Sequence, residues 1–183
     1  MSEWGPYKAS TPMGSIPIWE EDGFTSCNSS AILRILGIRL GYYSEDHLIA
    51  YKIDSIVEYM EDFVPLCNKF LLPAVMGKGA VDESKADEWL STTWDKFIPV
   101  IEARLREHGK PFIAGTDRPT IADFKAFVGS FGGTDINSAS VMPESIKAKI
   151  AARIAASSSY SRWWNTMKAE LASYIATRPP RGV

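Results

Sequence analysis

Three short blocks and one run of acids in this sequence carry residue types able to hold a small charged ligand. Asn28-Ser29-Ser30 stands where an apolar helical run begins, and free amides at a helix start, backed by the helix dipole, attract a carboxylate. The same two residues, Asn28 and Ser29, read equally as a plain helix cap. Ile16-Pro17 lies in a short apolar stretch, where a proline marks either a strand edge able to pair with an extended ligand or a rigid turn. Trp4 and Lys8 bring an indole donor and a cation close to one end of the chain. Glu58, Glu61 and Asp62 supply carboxylates, Glu58 and Glu61 on one side of an expected helix, where acids of this kind are more often a solvated face.

Other chemistries find little support. Only Cys27 and Cys67 are available as thiols, far from any metal-ligand spacing, and Met1 to Ser10 lacks the charged-then-apolar pattern of a secretory signal. A reducing, cytoplasmic setting is expected. The formal charge of -2, with both signs interleaved along the chain, gives no basic stripe for phosphates, so nucleic acid is not an expected partner. Residues 63–76 are interrupted by Pro65, Asn68, Lys69 and Pro73, short of the ~18 apolar residues a membrane span needs. With 45% hydrophobic and 23% charged residues, the chain has enough apolar material to bury a core.

The elements that must position these residues fall into two regimes. Ser15-Ile16-Pro17-Ile18-Trp19, then Glu20-Glu21-Asp22-Gly23-Phe24-Thr25, predict a strand, an Asp-Gly turn and a second strand. Ala31-Ile32-Leu33-Arg34-Ile35-Leu36 predicts a helix capped by a serine and stopped by Gly37. Residues 1–41 therefore read as a ββα piece. Over residues 42–183 every segment has helical period: one helix capped by Ser44 or Asp46, a loop at 77–81, and a helix from Asp82 bent at Pro99 and stopped by His108-Gly109-Lys110-Pro111. A helix follows from the Thr120-Ile121-Ala122-Asp123 capping box towards Gly132, then two more over roughly 143–156 and 160–177, closed by Pro179-Pro180. The aromatic residues from Trp89 to Phe97, and Trp163-Trp164, are expected in the core.

Several of these blocks stand together in a known order. Glu3-Trp4 with Lys8, Pro12-Met13-Gly14-Ser15-Ile16-Pro17-Ile18, Glu21-Asp22-Gly23 and Asn28-Ser29-Ser30-Ala31-Ile32-Leu33-Arg34 resemble the glutathione-binding half of soluble glutathione transferases. Downstream, Phe112-Ile113-Ala114-Gly115 with Thr120-Ile121-Ala122-Asp123-Phe124 resembles the family's capping-box helix. The resemblance is to the sigma-like kind and covers essentially the whole chain. It implies an α+β, mostly α fold: a truncated, thioredoxin-like glutathione-binding domain over 1–41, then the all-helical C-terminal domain over 42–183.

The resemblance also implies roles. Ile16-Pro17, cis in the family, would pair with the cysteinyl part of glutathione, Asn28 and Ser29 would hold its γ-glutamyl carboxylate, and Trp4 with Lys8 would grip its glycyl end. Asp62 matches an acid that reaches the ligand's amine across a dimer interface. The family usually has Gln where Asn28 stands, one methylene longer. The strand-helix-strand that opens a family member and carries its Tyr or Ser hydroxyl is not matched, so no residue inherits the stabilisation of the thiolate, and a thiol of pKa ~8.5 is then mostly protonated at neutral pH. Cys27, Tyr7 and Ser10 lie near but do not match that position. Expected, then, is a glutathione transferase with weak or absent catalysis, or a non-catalytic scaffold or subunit of a larger complex. Its partners would be glutathione and, if active, a hydrophobic electrophile, with a homodimer or another protein covering the hairpin.

Overall fold

The computed structural model describes residues 4–131 and 142–177, main chain only at 75 and 131. A short helix α1 (Trp4–Lys8) leads to strands β1 (Ile18–Glu21) and β2 (Phe24–Cys27), and these to helix α2 (Ser29–Leu40). The strands pair antiparallel, Ile18 opposite Cys27 and Glu21 opposite Phe24. Asp22 and Gly23 both take positive φ, 47° and 80°, as a two-residue turn matching the twist of its strands requires. The hairpin is largely exposed, and Arg39 of α2 ties it down: the guanidinium pairs with Glu21 and lies 4.8 Å from the centre of the Trp19 ring.

The rest is helical: α3 (His47–Val75), a 3₁₀ turn at Glu83–Lys85, α4 (Ala86–Thr92), α5 (Trp94–His108), α6 (Ile121–Phe131), α7 (Glu144–Ala156), α8 (Ser158–Glu170) and α9 (Ala172–Thr177). The fold is thus α+β and mostly helical, a small ββα piece followed by a helical part, as expected. Among the described residues no helix is long and apolar enough to cross a membrane. The core lies where α3, α5, α6 and α8 meet, around Met60, Phe97, Phe127 and Trp163, each no more than 1% exposed. Phe63 of α3 stacks on Phe97 of α5, centroids 4.2 Å apart. Burying a side chain of this size stabilises by about 1.5–3 kcal/mol, so the aromatic stripes form much of the core.

Several local expectations are corrected. Asn28, not a serine, caps α2, and the helix runs past Gly37 to end at Gly41 in the left-handed conformation. Gly37 instead meets α6, which needs a residue without a side chain there. The helix expected from Asp82 breaks at Thr93, φ −116° and ψ −78°, where the Thr92 and Thr93 hydroxyls donate to main-chain carbonyls of α4 and compete with the helical ladder. Pro99 sits inside α5. In the capping box the Thr120 hydroxyl donates to Asp123 Oδ2 at 2.9 Å and does not accept from the Asp123 amide as the usual box has it. The carboxylate accepts from the Thr120 amide, the other half of the box, at 2.8 Å. The final helical stretch begins at Ser158 and is divided at Leu171. Gly132 and Pro179-Pro180 lie outside the described residues.

The ββα piece is locked to the helices by α2. Arg34 Nε donates to Asp54 of α3 at 3.0 Å, and the Tyr43 hydroxyl meets the other oxygen of that carboxylate at 2.8 Å. The Ile121 amide donates to the Tyr42 carbonyl at 3.0 Å, beside an edge-to-face contact of Tyr42 with Phe124. These contacts fix the start of α2 relative to α3.

Candidate functional site

The chain leaves β2 and enters α2 through Asn28, whose φ of 77° and ψ of 114° are rare for a residue with a side chain. That turn lets the carboxamide oxygen fold back over the helix start, where it accepts from the Ser30 and Ala31 amides, both at 3.1 Å. Asn28 and Ser29 remain exposed while Ser30 is buried. The Ser29 N–H makes no hydrogen bond among the described residues. The tip of α2 thus presents the Ser29 amide and hydroxyl and the Asn28 NH₂ group at the positive end of the helix dipole, a set of donors suited to a carboxylate.

Across from this tip stand acids of α3. A groove of about 460 Å³ is lined by Met13, Cys27, Asn28, Ser29, Ser30, Ala31, Arg34, Glu58 and Glu61. The Ser30 hydroxyl donates to Glu61 Oε1 at 2.6 Å, and Lys125 of α6 donates to the same oxygen at 2.5 Å. Lys125 first, and Ser30 after it, hold the Glu61 carboxyl below the usual carboxylate range. Arg34 pairs with Asp54 and lies 3.5 Å from Glu58; its hydrogen bond to Asp54 raises its already high pKa. One end of the groove can therefore take a carboxylate and the other an ammonium, the two charges of an amino-acid head group. Among the described residues no group of three or more His, Cys, Asp or Glu is placed to hold a metal ion.

The structure brings some of the sequence-nominated residues together and leaves others apart. Asn28 and Ser29 line the groove. Ile16 and Pro17 are exposed on the loop that follows Met13, with a cis peptide bond between them. Lys8 lies along that loop, its Cε 3.5 Å from where a Cβ on Gly14 would stand, and Trp4 is half-buried in α1. Neither lines the groove, and Glu3 lies outside the described residues. Asp62 is exposed on α3 beside Tyr59, whose pKa is raised by burial and then by Asp62. It is Glu58 and Glu61 of this chain that face α2. Sequence reasoning missed Lys125, which meets Glu61 across 64 residues of chain, a separation at which no local pattern signals a contact.

No family model matches the chain. It is 26% identical over 126 residues to a probable glutathione S-transferase, gst-36, of Caenorhabditis elegans, a match spanning 67% of this chain and 60% of that protein. It is 27% identical over 117 residues to glutathione S-transferase 1 of Ascaris suum, spanning 62% and 55%. The matched segment thus covers less than two thirds of either relative. Among solved structures, the glutathione S-transferase from Ascaris lumbricoides superposes with a TM-score of 0.78 at 22% identity, over 98% of this chain and 82% of that one. The hookworm Na-GST-3 from Necator americanus gives 0.75 at 21% identity, over 100% and 83%.

Proposed function

From the premise that this chain is glutathione transferase-like in sequence and in fold, we propose that it binds glutathione at the tip of α2. The γ-glutamyl carboxylate meets the Asn28 and Ser29 donors and the neighbouring ammonium meets Glu58 and Glu61. The cysteinyl main chain runs along Ile16-Pro17, and the glycyl end reaches Trp4 and Lys8. Asp62 contributes across a homodimer, and the setting is cytoplasmic. The observation that supports this reading best is the open groove itself: free donors on α2 facing carboxylates on α3. Asn28, shorter than the glutamine usual in the family, spends its oxygen on the helix cap and offers the ligand its NH₂ group alone.

Turnover by this chain is weak or absent. Among the described residues lining the groove, the Ser30 hydroxyl is committed to Glu61 and the Ser29 hydroxyl is taken by the γ-glutamyl carboxylate in this reading, so neither is left to hold the thiolate. Purified protein is expected to be retained on glutathione agarose, to elute with free glutathione, and to conjugate a chlorinated nitrobenzene slowly or not at all. Failure of retention overturns the proposal.

A second reading, a non-catalytic subunit of a larger assembly, is favoured by the apolar side chains left open on the hairpin and its approach: Met13 is 69%, Ile16 68% and Phe24 53% exposed, and such a cluster attracts a protein partner. A second chain held through purification, with no retention on glutathione agarose, would select it.

A further inference from the structure

We propose that Lys125, on α6, is a positioning residue that fixes the Glu61 carboxylate against the tip of α2 and so governs how the groove holds the ammonium end of its ligand; this rests on the glutathione-binding reading above. Both donors to Glu61, Ser30 Oγ and Lys125 Nζ, meet Oε1, at 2.6 Å and 2.5 Å. Oε2 has no hydrogen bond among the described residues. The carboxylate is therefore gripped by one oxygen, with the other left for a ligand.

The grip is built into the packing of α3 on α6. Gly129, one turn beyond Lys125, brings the helices so close that a Cβ there would lie 2.6 Å from Met60 Cε and 2.9 Å from Val64 Cγ2. The lysine stem is covered, its side chain 19% exposed, while Glu61 at the groove is 44% exposed. A solvated ion pair of two long side chains is worth little. Here the cation is mostly buried, and the carboxylate also accepts from a serine that is 8% exposed, so orientation is bought at smaller cost in side-chain freedom. The charged and titratable groups around Glu61 are Arg34 on α2, Glu58 and Asp62 on α3, Lys125 on α6 and Cys27 on β2. Of these, Lys125 alone pairs with Glu61.

An ammonium is held only while Glu61 is ionised. Because Lys125 keeps that carboxyl below its ordinary range, binding should persist to a lower pH with the lysine than without it. The test is calorimetric titration of glutathione from pH 4 to 8 into the wild type and the Lys125→Gln, Lys125→Arg and Ser30→Ala variants. Lys125→Gln is expected to lose binding at a higher pH midpoint than the wild type, whatever its affinity at neutral pH. Lys125→Arg should follow the wild type, and Ser30→Ala should shift the midpoint upward by less. A Lys125→Gln profile that superposes on the wild type overturns the inference. If Lys125→Gln does not fold, a Glu61→Gln variant whose affinity and pH profile match the wild type overturns it instead. A wild type that binds at no pH overturns the glutathione-binding reading instead.

Discussion

Gly37 of α2 approaches Ile121 of α6 so closely that a Cβ at position 37 would stand 2.4 Å from Ile121 Cγ2. No side chain fits there without one helix moving, and α2 carries the tip on which the groove depends. Gly37→Ala is therefore expected to destabilise the protein by about 1–3 kcal/mol, read from the urea midpoint at unchanged slope. In the Ile121→Ala background the same change should cost clearly less, because the opposing methyl is gone.

Asp123 is buried and collects four donors: the Ile113 amide at 2.9 Å, the Thr120 amide at 2.8 Å and its hydroxyl at 2.9 Å, and the Trp163 indole N–H at 2.9 Å. Burial pushes its pKa up, against the pull of these same donors. Asp123→Ala strands all four, and Asp123→Asn turns an NH₂ group towards some of them. Losses of about 3 kcal/mol or more are expected for alanine, and a smaller loss for asparagine. Chemical denaturation of the two variants checks the order; equal stability of alanine variant and wild type would contradict it.

The two thiols differ in access. Cys27 is half-buried on the wall of the groove, while burial pushes the Cys67 thiol up to about 12. With iodoacetamide at pH 8, mass spectrometry of the native protein should find Cys27 modified and Cys67 intact until denaturant is added. S-methylglutathione, which carries no competing thiol, should slow the labelling of Cys27. Prompt labelling of Cys67 in the native state would contradict this placement.

Much of the fold was legible because its signals are local. The Asp22-Gly23 turn, the apolar period of α3 and the Thr120-Asp123 box each lie within a few residues, and each formed where it was read. The boundaries that slipped were decided at longer range or by competition. Gly37 looked like a helix stop, yet its lack of a side chain serves Ile121 of α6. The stretch from Asp82 looked like one helix, yet it is interrupted at Thr93, where hydroxyls compete for carbonyls. The groove was half legible: Asn28 and Ser29 stand in the sequence as a helix start, whereas the grip of Lys125 on Glu61 exists only once α3 and α6 pack.

Glutathione held at the tip of α2 must perturb the main chain there. Titration of glutathione into isotope-labelled protein, followed through the main-chain amides, tests it most directly. Saturable shifts are expected at Asn28, Ser29 and Ser30 and at Glu58 and Glu61 across the groove, with the amides of α7 and α8 unmoved. No shift at the tip of α2, or shifts confined to the α7–α8 surface around Trp164, would contradict it.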